Sequence, residues 1–390
     1  MIGPIWREGW MVMTYIYAHN DWPKFRWNTE QLAPLLADIR HRQGRLLGRM
    51  ESLGFRFRGE ANLSTLTDDI VKSNAIEGAL LDPLAVRSSL ARRLGLDTGG
   101  TLPASRYIEG QVEMMLDATQ KYAEPLTSER LFAWHAALFP SGRSGMRKIT
   151  VGAWRPAKAG PMQVVSGGIG RERVRFEAPE AGRLEAEMRT FLKWFNAPPG
   201  TDAVLKAALA HFWFVTIHPF EDGNGRIARA IADMALARAD GIPDRYYSMS
   251  AQIEAERKDY YQILETSQKG DLDVTSWMKW FLECLGRALE RASSALANVM
   301  RKARFLEAIH PATLNDRQWE MVNRLLDGFE GNLTTSKYAK LERCSTDTAL
   351  RDIRGLLERD ILIENQGRGR STSYRLPNGE KETINQQGVT

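Results

Sequence analysis

The sequence predicts a mainly α-helical protein with two short β-hairpins, one in the middle of the chain and one near its end. Three observations carry that expectation. Apolar residues recur at helical spacing over 131–139, 184–195 and 260–285, the mark of helices with one buried face. Strand signals are confined to short β-branched runs near turn residues, at 148–151, 162–165, 361–364 and 372–376. At 390 residues the chain is long enough for roughly two to three domains with sizeable cores.

Taken in order, residues 1–12 are expected to contribute nothing to the fold, since organised sequence begins near Tyr15 and Met11 or Met13 could serve as the start. A helical N-terminal domain is expected over 13–95. It opens with the aromatic run YIYAHNDWPKFRW at 15–27, whose His19 and tryptophans read as packing groups, and continues in an amphipathic stretch over 30–52. Thr67, Asp68 and Asp69 can start a further helix, on which Ser73 and Glu77 stand four apart on one face before a stop at Gly78. A core is expected over 105–292. It is helical but for a hairpin between 147 and 176, with KITV at 148–151 and MQVV at 162–165 as its strands. His135 and His211 lie on apolar faces without a carboxylate at ligand spacing, so both read as core histidines. A helix over 202–217 opens on a Thr/Asp cap, a second runs over 227–238, and the twelve residues HPFEDGNGRIAR at 218–229 join them.

The last part, 308–377, follows the basic RKAR at 301–304. Asn315 and Asp316 can cap a helix ending near Gly328, TTS at 334–336 a second through Arg343, and STD at 345–347 a third through Arg359. Strands at 361–364 and 372–376 flank the turn GRGR at 367–370, and 378–390 is a tail. Three helices and a hairpin in this order resemble a winged helix-turn-helix, with 345–359 as recognition helix. Nine Lys/Arg stand against six Asp/Glu between 334 and 376, with Arg368 and Arg370 at the turn. This modest basic excess suits phosphate contacts to DNA, and equally a dimerisation or protein-docking module.

Composition narrows the setting. The two cysteines, Cys284 and Cys344, are too few and too far apart for a thiolate zinc site or a disulfide framework, which points to a reducing compartment. No apolar run reaches the ~18 residues of a membrane span, and the stretch at 10–18 lacks a cleavage site, so a cytoplasmic protein without membrane contact is expected.

The join at 218–229 concentrates the chemistry. Gly223 and Gly225 flank Asn224, so successive backbone N–H groups can turn inward at a helix N-terminus, an anion cradle that the helix dipole reinforces. Asp222 is a hard oxygen ligand of the kind Mg2+ accepts alongside phosphate oxygens, and Arg226 and Arg229, one helical turn apart, can neutralise phosphates. The implied ligand is a nucleotide polyphosphate with Mg2+. His218 belongs to the residue type that titrates near neutrality and can take a proton from an attacking hydroxyl. Pro219 fixes the turn after it, and Phe220 anchors the loop.

The stretch resembles the core motif of the Fic family, His-x-Phe-x-Asp/Glu-Gly-Asn-Gly/Lys-Arg-x-x-Arg, with every fixed position filled. The resemblance implies transfer of AMP from ATP to a Ser, Thr or Tyr hydroxyl of a target protein, with release of pyrophosphate. His218 would be the base and Asp222 the Mg2+ ligand. Asn224 with the Gly223 and Gly225 amides would cradle phosphate, Arg226 and Arg229 would hold the outer phosphates, and Phe220 would be structural. The Doc branch carries lysine where this chain has Gly225, so the glycine favours adenylyl over phosphoryl transfer. Further upstream, Ser73-Asn-Ala-Ile-Glu77-Gly78 is similar to the family's inhibitory motif, Ser/Thr-x-x-x-Glu-Gly/Asn. That similarity implies a Glu77 carboxylate paired with Arg229, keeping the arginine from the γ-phosphate.

By the same resemblance, the 147–176 hairpin would be a flap that clamps a target segment by strand pairing, through Trp154, Met162 and Val164. Tyr260 or Tyr261 would lie near the adenine. The 15–94 segment resembles the N-terminal domain often found ahead of the inhibitory motif in longer bacterial members. The implied partners are ATP, a hydroxyl-bearing target, the chain itself through self-modification, and, for the C-terminal module, DNA or a second copy in a homodimer. Two other roles stay open: a transcriptional regulator whose core senses nucleotide, and removal of AMP from modified targets with Glu77 orienting a water.

Overall fold

The computed structural model describes residues 15–96, 103–157, 162–166, 173–198, 200–309, 314–326, 329, 331–365 and 372–377. The chain divides into two compact units after Ser293. In the first unit α1 (Thr29–Glu51), α2 (Phe55–Ile76), α3 (Pro83–Leu94), α4 (Arg106–Gln120) and α5 (Ser128–Leu138) lead into four short strands. These are β1 (Arg143–Ser144), β2 (Arg147–Lys148), β3 (Gln163–Ser166) and β4 (Arg173–Glu177). Then come α6 (Leu184–Asn196), α7 (Ala203–Ile217), α8 (Asn224–Asp240), α9 (Met249–Ala255), α10 (Arg257–Gln268) and α11 (Thr275–Ala308), within which the boundary falls.

Every residue of α7 from Val204 onward is buried, as expected of an apolar helix covered on its whole circumference. Asp202 caps it, accepting the Val204 N–H at 2.7 Å. The helix stops where His218 adopts left-handed backbone (φ 52°), and Pro219 has no N–H with which to continue it. Helix α8 begins at Asn224, three residues before the position expected from the apolar pattern, because Gly223 (φ 82°) takes the cap position. A Cβ on Gly223 would lie 2.9 Å from the Phe139 ring, so both backbone and space require glycine. The two helices pack on each other as a hairpin at the centre of the unit.

Helix α2 begins at Phe55, well before the expected start at 67–69. Thr67 lies mid-helix with its hydroxyl on the Leu63 carbonyl at 2.7 Å, and buried Asp69 accepts the Ser248 hydroxyl at 2.5 Å. Residue types that favour caps are here satisfied inside a helix. Leu63, Leu66 and Ile70 pack with Val86 and Leu90 of α3 and Val112 and Met115 of α4, each contributing about 1.5–3 kcal/mol by burial. That core fixes the face bearing Asp69, Ser73 and Glu77. The 15–27 segment packs as expected: Trp22 and Phe25 meet Trp213 edge-on at 6.3 and 5.4 Å, and Trp22 donates to Glu187 at 2.8 Å.

The expected pairing of 148–151 with 162–165 does not form. Strand β3 pairs antiparallel with β4, Val164 opposite Phe176, with a bulge after Val164. Strand β2 turns back on β1 instead. The 148–151 run is spent on the core, with Ile149 buried and the Thr150 N–H given to the Glu221 carboxylate at 2.6 Å.

The second unit holds α12 (Asp316–Leu326), α13 (Thr335–Leu341), α14 (Thr346–Leu357), β5 (Ile363–Glu364) and β6 (Tyr374–Arg375). Its core includes Met321, Val322, Tyr338, Ile353, Leu356 and Tyr374. Thr334 and Ser345 cap α13 and α14, accepting the Lys337 and Thr348 N–H groups at 3.3 and 3.2 Å. The strands are shorter than expected because Ile361 and Leu362 turn into the core. Arg368, Arg370 and their turn, residues 1–12 and the tail lie outside the described residues. Among those described, no helix is long and apolar enough to cross a membrane, and Cys284 and Cys344 are unbonded.

Candidate active site

The loop between α7 and α8 is braced from within and from outside. Asn224 brackets Phe220, accepting its N–H at 2.9 Å and donating to its carbonyl at 2.8 Å. Its side chain therefore shapes the loop from within. Phe220 stacks on His135 at 4.2 Å and 6°. His135 Nδ1 accepts the Gly152 N–H at 3.2 Å, so its proton sits on Nε2, facing the Asp222 carbonyl at 3.2 Å. Both His135 and His211, buried against Tyr260, are core histidines as expected. Arg155 is buried too. Its Nε donates to the His218 carbonyl and its backbone N–H to the Pro219 carbonyl, both at 2.9 Å, and Nη2 reaches the Pro179 carbonyl. These bonds hold the left-handed turn at His218, a conformation that costs a non-glycine residue about 1–3 kcal/mol.

His218 Nδ1 lies 3.2 Å from the Val215 carbonyl. A carbonyl only accepts, so Nδ1 carries the proton and Nε2 keeps its lone pair. Burial lowers the pKa of His218 to about 4, which leaves the ring neutral at physiological pH.

Beyond it, Asp222 accepts a hydrogen bond from the Ser144 hydroxyl, and its Oδ1 lies 3.8 Å from Arg226 Nη2. Among the described residues no three His, Cys, Asp or Glu converge to hold a metal by themselves. A single part-exposed carboxylate at a helix start fits Mg2+ shared with phosphate oxygens. Arg226 donates to the Tyr107 hydroxyl at 2.8 Å and lies over the Phe139 ring, while its Nε has no partner. Arg229, 2% exposed, donates through Nε and Nη2 to the Ser73 hydroxyl and carbonyl, and through Nη2 to Glu77 Oε1, all at 2.8 Å; Nη1 has no partner. Buried guanidinium nitrogens without partners are rare, and two of them beside the start of α8 suit an anion.

Glu77 lies on bare backbone. A Cβ on Gly225 would stand 2.1 Å from Glu77 Oε1 and 3.2 Å from Arg229 Nη1. Two turns before Glu77, Asp69 is buried near Asp233 and Arg245, and burial first, then Asp233, holds its carboxyl well above the usual range.

A cleft of about 1110 Å3 opens over this arrangement, lined among others by Glu77, His218, Gly225, Val164, Arg257 and Tyr261. Tyr260 and Tyr261 both line it; Tyr260 is 1% exposed and bonds His211 at 2.9 Å, whereas Tyr261 is 39% exposed. Val164 stands on β3, and Met162 flanks that strand, its carbonyl accepting the Ala178 N–H at 2.8 Å. Trp154 is not a flap residue: it packs 4.4 Å from Phe132 and 5.1 Å from Phe220, under the loop. Sequence reasoning missed Arg155, Ser144 and Tyr107. Only Arg155 carries a local signal, a cation set between the bulky Trp154 and Pro156.

The model of the Fic/DOC family matches residues 125–236, which include the whole loop, and that of a domain of unknown function, DUF4172, matches residues 15–96. Curated relatives named "Protein adenylyltransferase Fic" include that of Drosophila melanogaster, 26% identical over 232 residues covering 57% of this chain and 41% of that protein. The one from Drosophila mojavensis is 27% identical over 226 residues, 57% and 40% of the two chains. The match thus spans under half the length of these relatives. Among solved structures, a Fic family protein from Desulfovibrio desulfuricans aligns over 90% of this chain and 97% of its own at 21% identity, TM-score 0.49. Fic-1 from C. elegans aligns over 69% and 76% at 19% identity, TM-score 0.45.

Proposed function

Residues 125–236 are a Fic domain, and on that premise we propose that this protein transfers AMP from ATP to a Ser, Thr or Tyr hydroxyl of a target protein, restrained by its own Glu77. Nε2 of His218, neutral and proton-free, accepts the hydroxyl proton. The hydroxyl oxygen bonds to the α-phosphorus as the bond from that phosphorus to the pyrophosphate oxygen breaks in line. The amides at the start of α8 and the guanidinium of Arg226 receive phosphate oxygens. Asp222, released from Ser144, would hold Mg2+, whose charge offsets that of the phosphates. Arg229 is the remaining cation for the γ-phosphate.

The observation that carries the reading is the Glu77 carboxylate, 2.8 Å from Arg229 and resting on Gly225 where phosphates would enter. A carboxylate there repels the triphosphate and occupies the arginine meant for it. If the open arrangement is about 1% populated, the closed one is favoured by roughly 2.7 kcal/mol, within reach of one partly desolvated carboxylate–guanidinium pair. Incubation with labelled ATP and Mg2+, with wild type and with Glu77→Gly, tests this. AMP should appear on protein, with self-modification seen first. A Glu77→Gly protein that binds nucleotide and transfers nothing removes the reading.

A further inference from the structure

The rim of the cleft on the flap side is cationic beyond what the phosphates require. Arg173 and Arg175 stand two apart on β4, and so on one side of it. Both reach Glu265 of α10, at 3.6 and 2.9 Å, and Lys269 reaches the same carboxylate at 2.6 Å. Three cations thus share one acid. Arg257 and Lys258, at the exposed start of α10, line the same cleft, and the other acid among its described lining residues, Glu77, is engaged by Arg229. Of the nearby acids, Glu256 takes Arg287, whereas Glu177, at the end of β4, accepts only the neutral Gln163 amide at 3.0 Å and Asp259 follows Lys258. Among the described residues the five cations Arg173, Arg175, Lys269, Arg257 and Lys258 thus stand against three acids, Glu265, Glu177 and Asp259. Arg226 and Arg229, the phosphate cations, are buried on α8, whereas Arg173 is 69% exposed on the flap.

We propose that this rim selects target segments with acidic residues beside the hydroxyl to be modified. The proposal rests on the reading of the cleft as an AMP transferase that acts on protein hydroxyls. An extended segment lying along β3–β4 offers alternate side chains to one side, where Arg173, Arg175, Lys269 and Lys258 present excess positive charge. Complementary charge at such a solvated rim favours the matching partner and disfavours the opposite one.

The test uses the full chain carrying Glu77→Gly, Mg2+ and a non-hydrolysable ATP analogue, with two labelled tyrosine peptides, one flanked by Asp and Glu and one by Lys. Anisotropy should show the acidic peptide bound about tenfold or more tightly, the difference shrinking as salt rises. Arg173→Glu with Arg175→Glu should abolish or invert the preference at unchanged nucleotide affinity, and Arg173→Gln with Arg175→Gln should reduce it. Equal binding of the two peptides, or a preference that survives the double reversal, overturns the proposal. With ATP in place of the analogue, an acidic peptide that binds but receives no AMP leaves the rim's selectivity standing and removes the transferase. Transfer blind to peptide charge does the opposite.

Discussion

The two walls of the cleft are built on opposite plans. On one side, the 218–229 loop has its backbone groups claimed: the His218 and Pro219 carbonyls by Arg155, both amide groups of Phe220 by Asn224, the Asp222 carbonyl by His135. On the other, the flap is two strands of four and five residues with a bulge, and Val165 and Val174 are 52% and 40% exposed. A loop so constrained can aim a base and a cradle at one point. An edge so exposed can pair with a partner that has yet to arrive. On the proposed reading, chemistry belongs to the first wall and choice of target to the second.

The largest break in that division should come at His218. Its replacement by Ala should lower AMP transfer by about 10^2–10^4 while nucleotide affinity stays close to that of its parent; parental turnover would show that the loop aims something else. Next, Glu77→Gly should raise transfer by up to about a hundredfold, and adding Arg229→Ala should cancel the gain, since the freed arginine is the one that matters. If the double variant stays fast, the glutamate acts by bulk alone. Smaller, and confined to the opposite wall, Val164→Pro should cut target modification by about tenfold through loss of a strand donor, leaving ATP affinity alone. Equal loss of ATP binding would make the flap part of the nucleotide pocket.

The smallest effect concerns pH. Burial holds His218 at about 4, so kcat/KM of the Glu77→Gly protein should fall on its acid side near that value, well below the ordinary ~6.5 of an exposed histidine. Between the two values the unfolded chain binds more protons, so stability is lost as pH falls from about 6.5 towards 4. A limb near 6.5 would mean that the ring becomes solvated once Glu77 is gone.

The same contrast explains what could be read from the sequence. The loop was legible because its determinants are local: Gly223 and Asn224 act on residues within four positions. Helix caps at Asp202, Thr334 and Ser345 were legible for that reason as well. Ser73 and Glu77 were placed on one face correctly, although the helix that carries them starts at Phe55, because a four-residue spacing survives an error in the helix boundary. The flap's pairing was lost because Glu221, 71 positions away from Thr150, claims the run that looked like a strand. Ser144 and Tyr107 were invisible for want of any pattern, since each acts through one hydroxyl on a distant charged side chain.

Glu77 rests where a side chain at position 225 would begin, so the two positions cannot drift independently. A lineage can discard the glutamate and keep the glycine. It cannot place a lysine, or even a methyl group, at 225 and leave the glutamate in this seat. A descendant that acquires a side chain there must therefore have moved the carboxylate from this seat, shed the restraint or rebuilt it on another element. The trace of that history would be covariation between two positions that no local pattern connects.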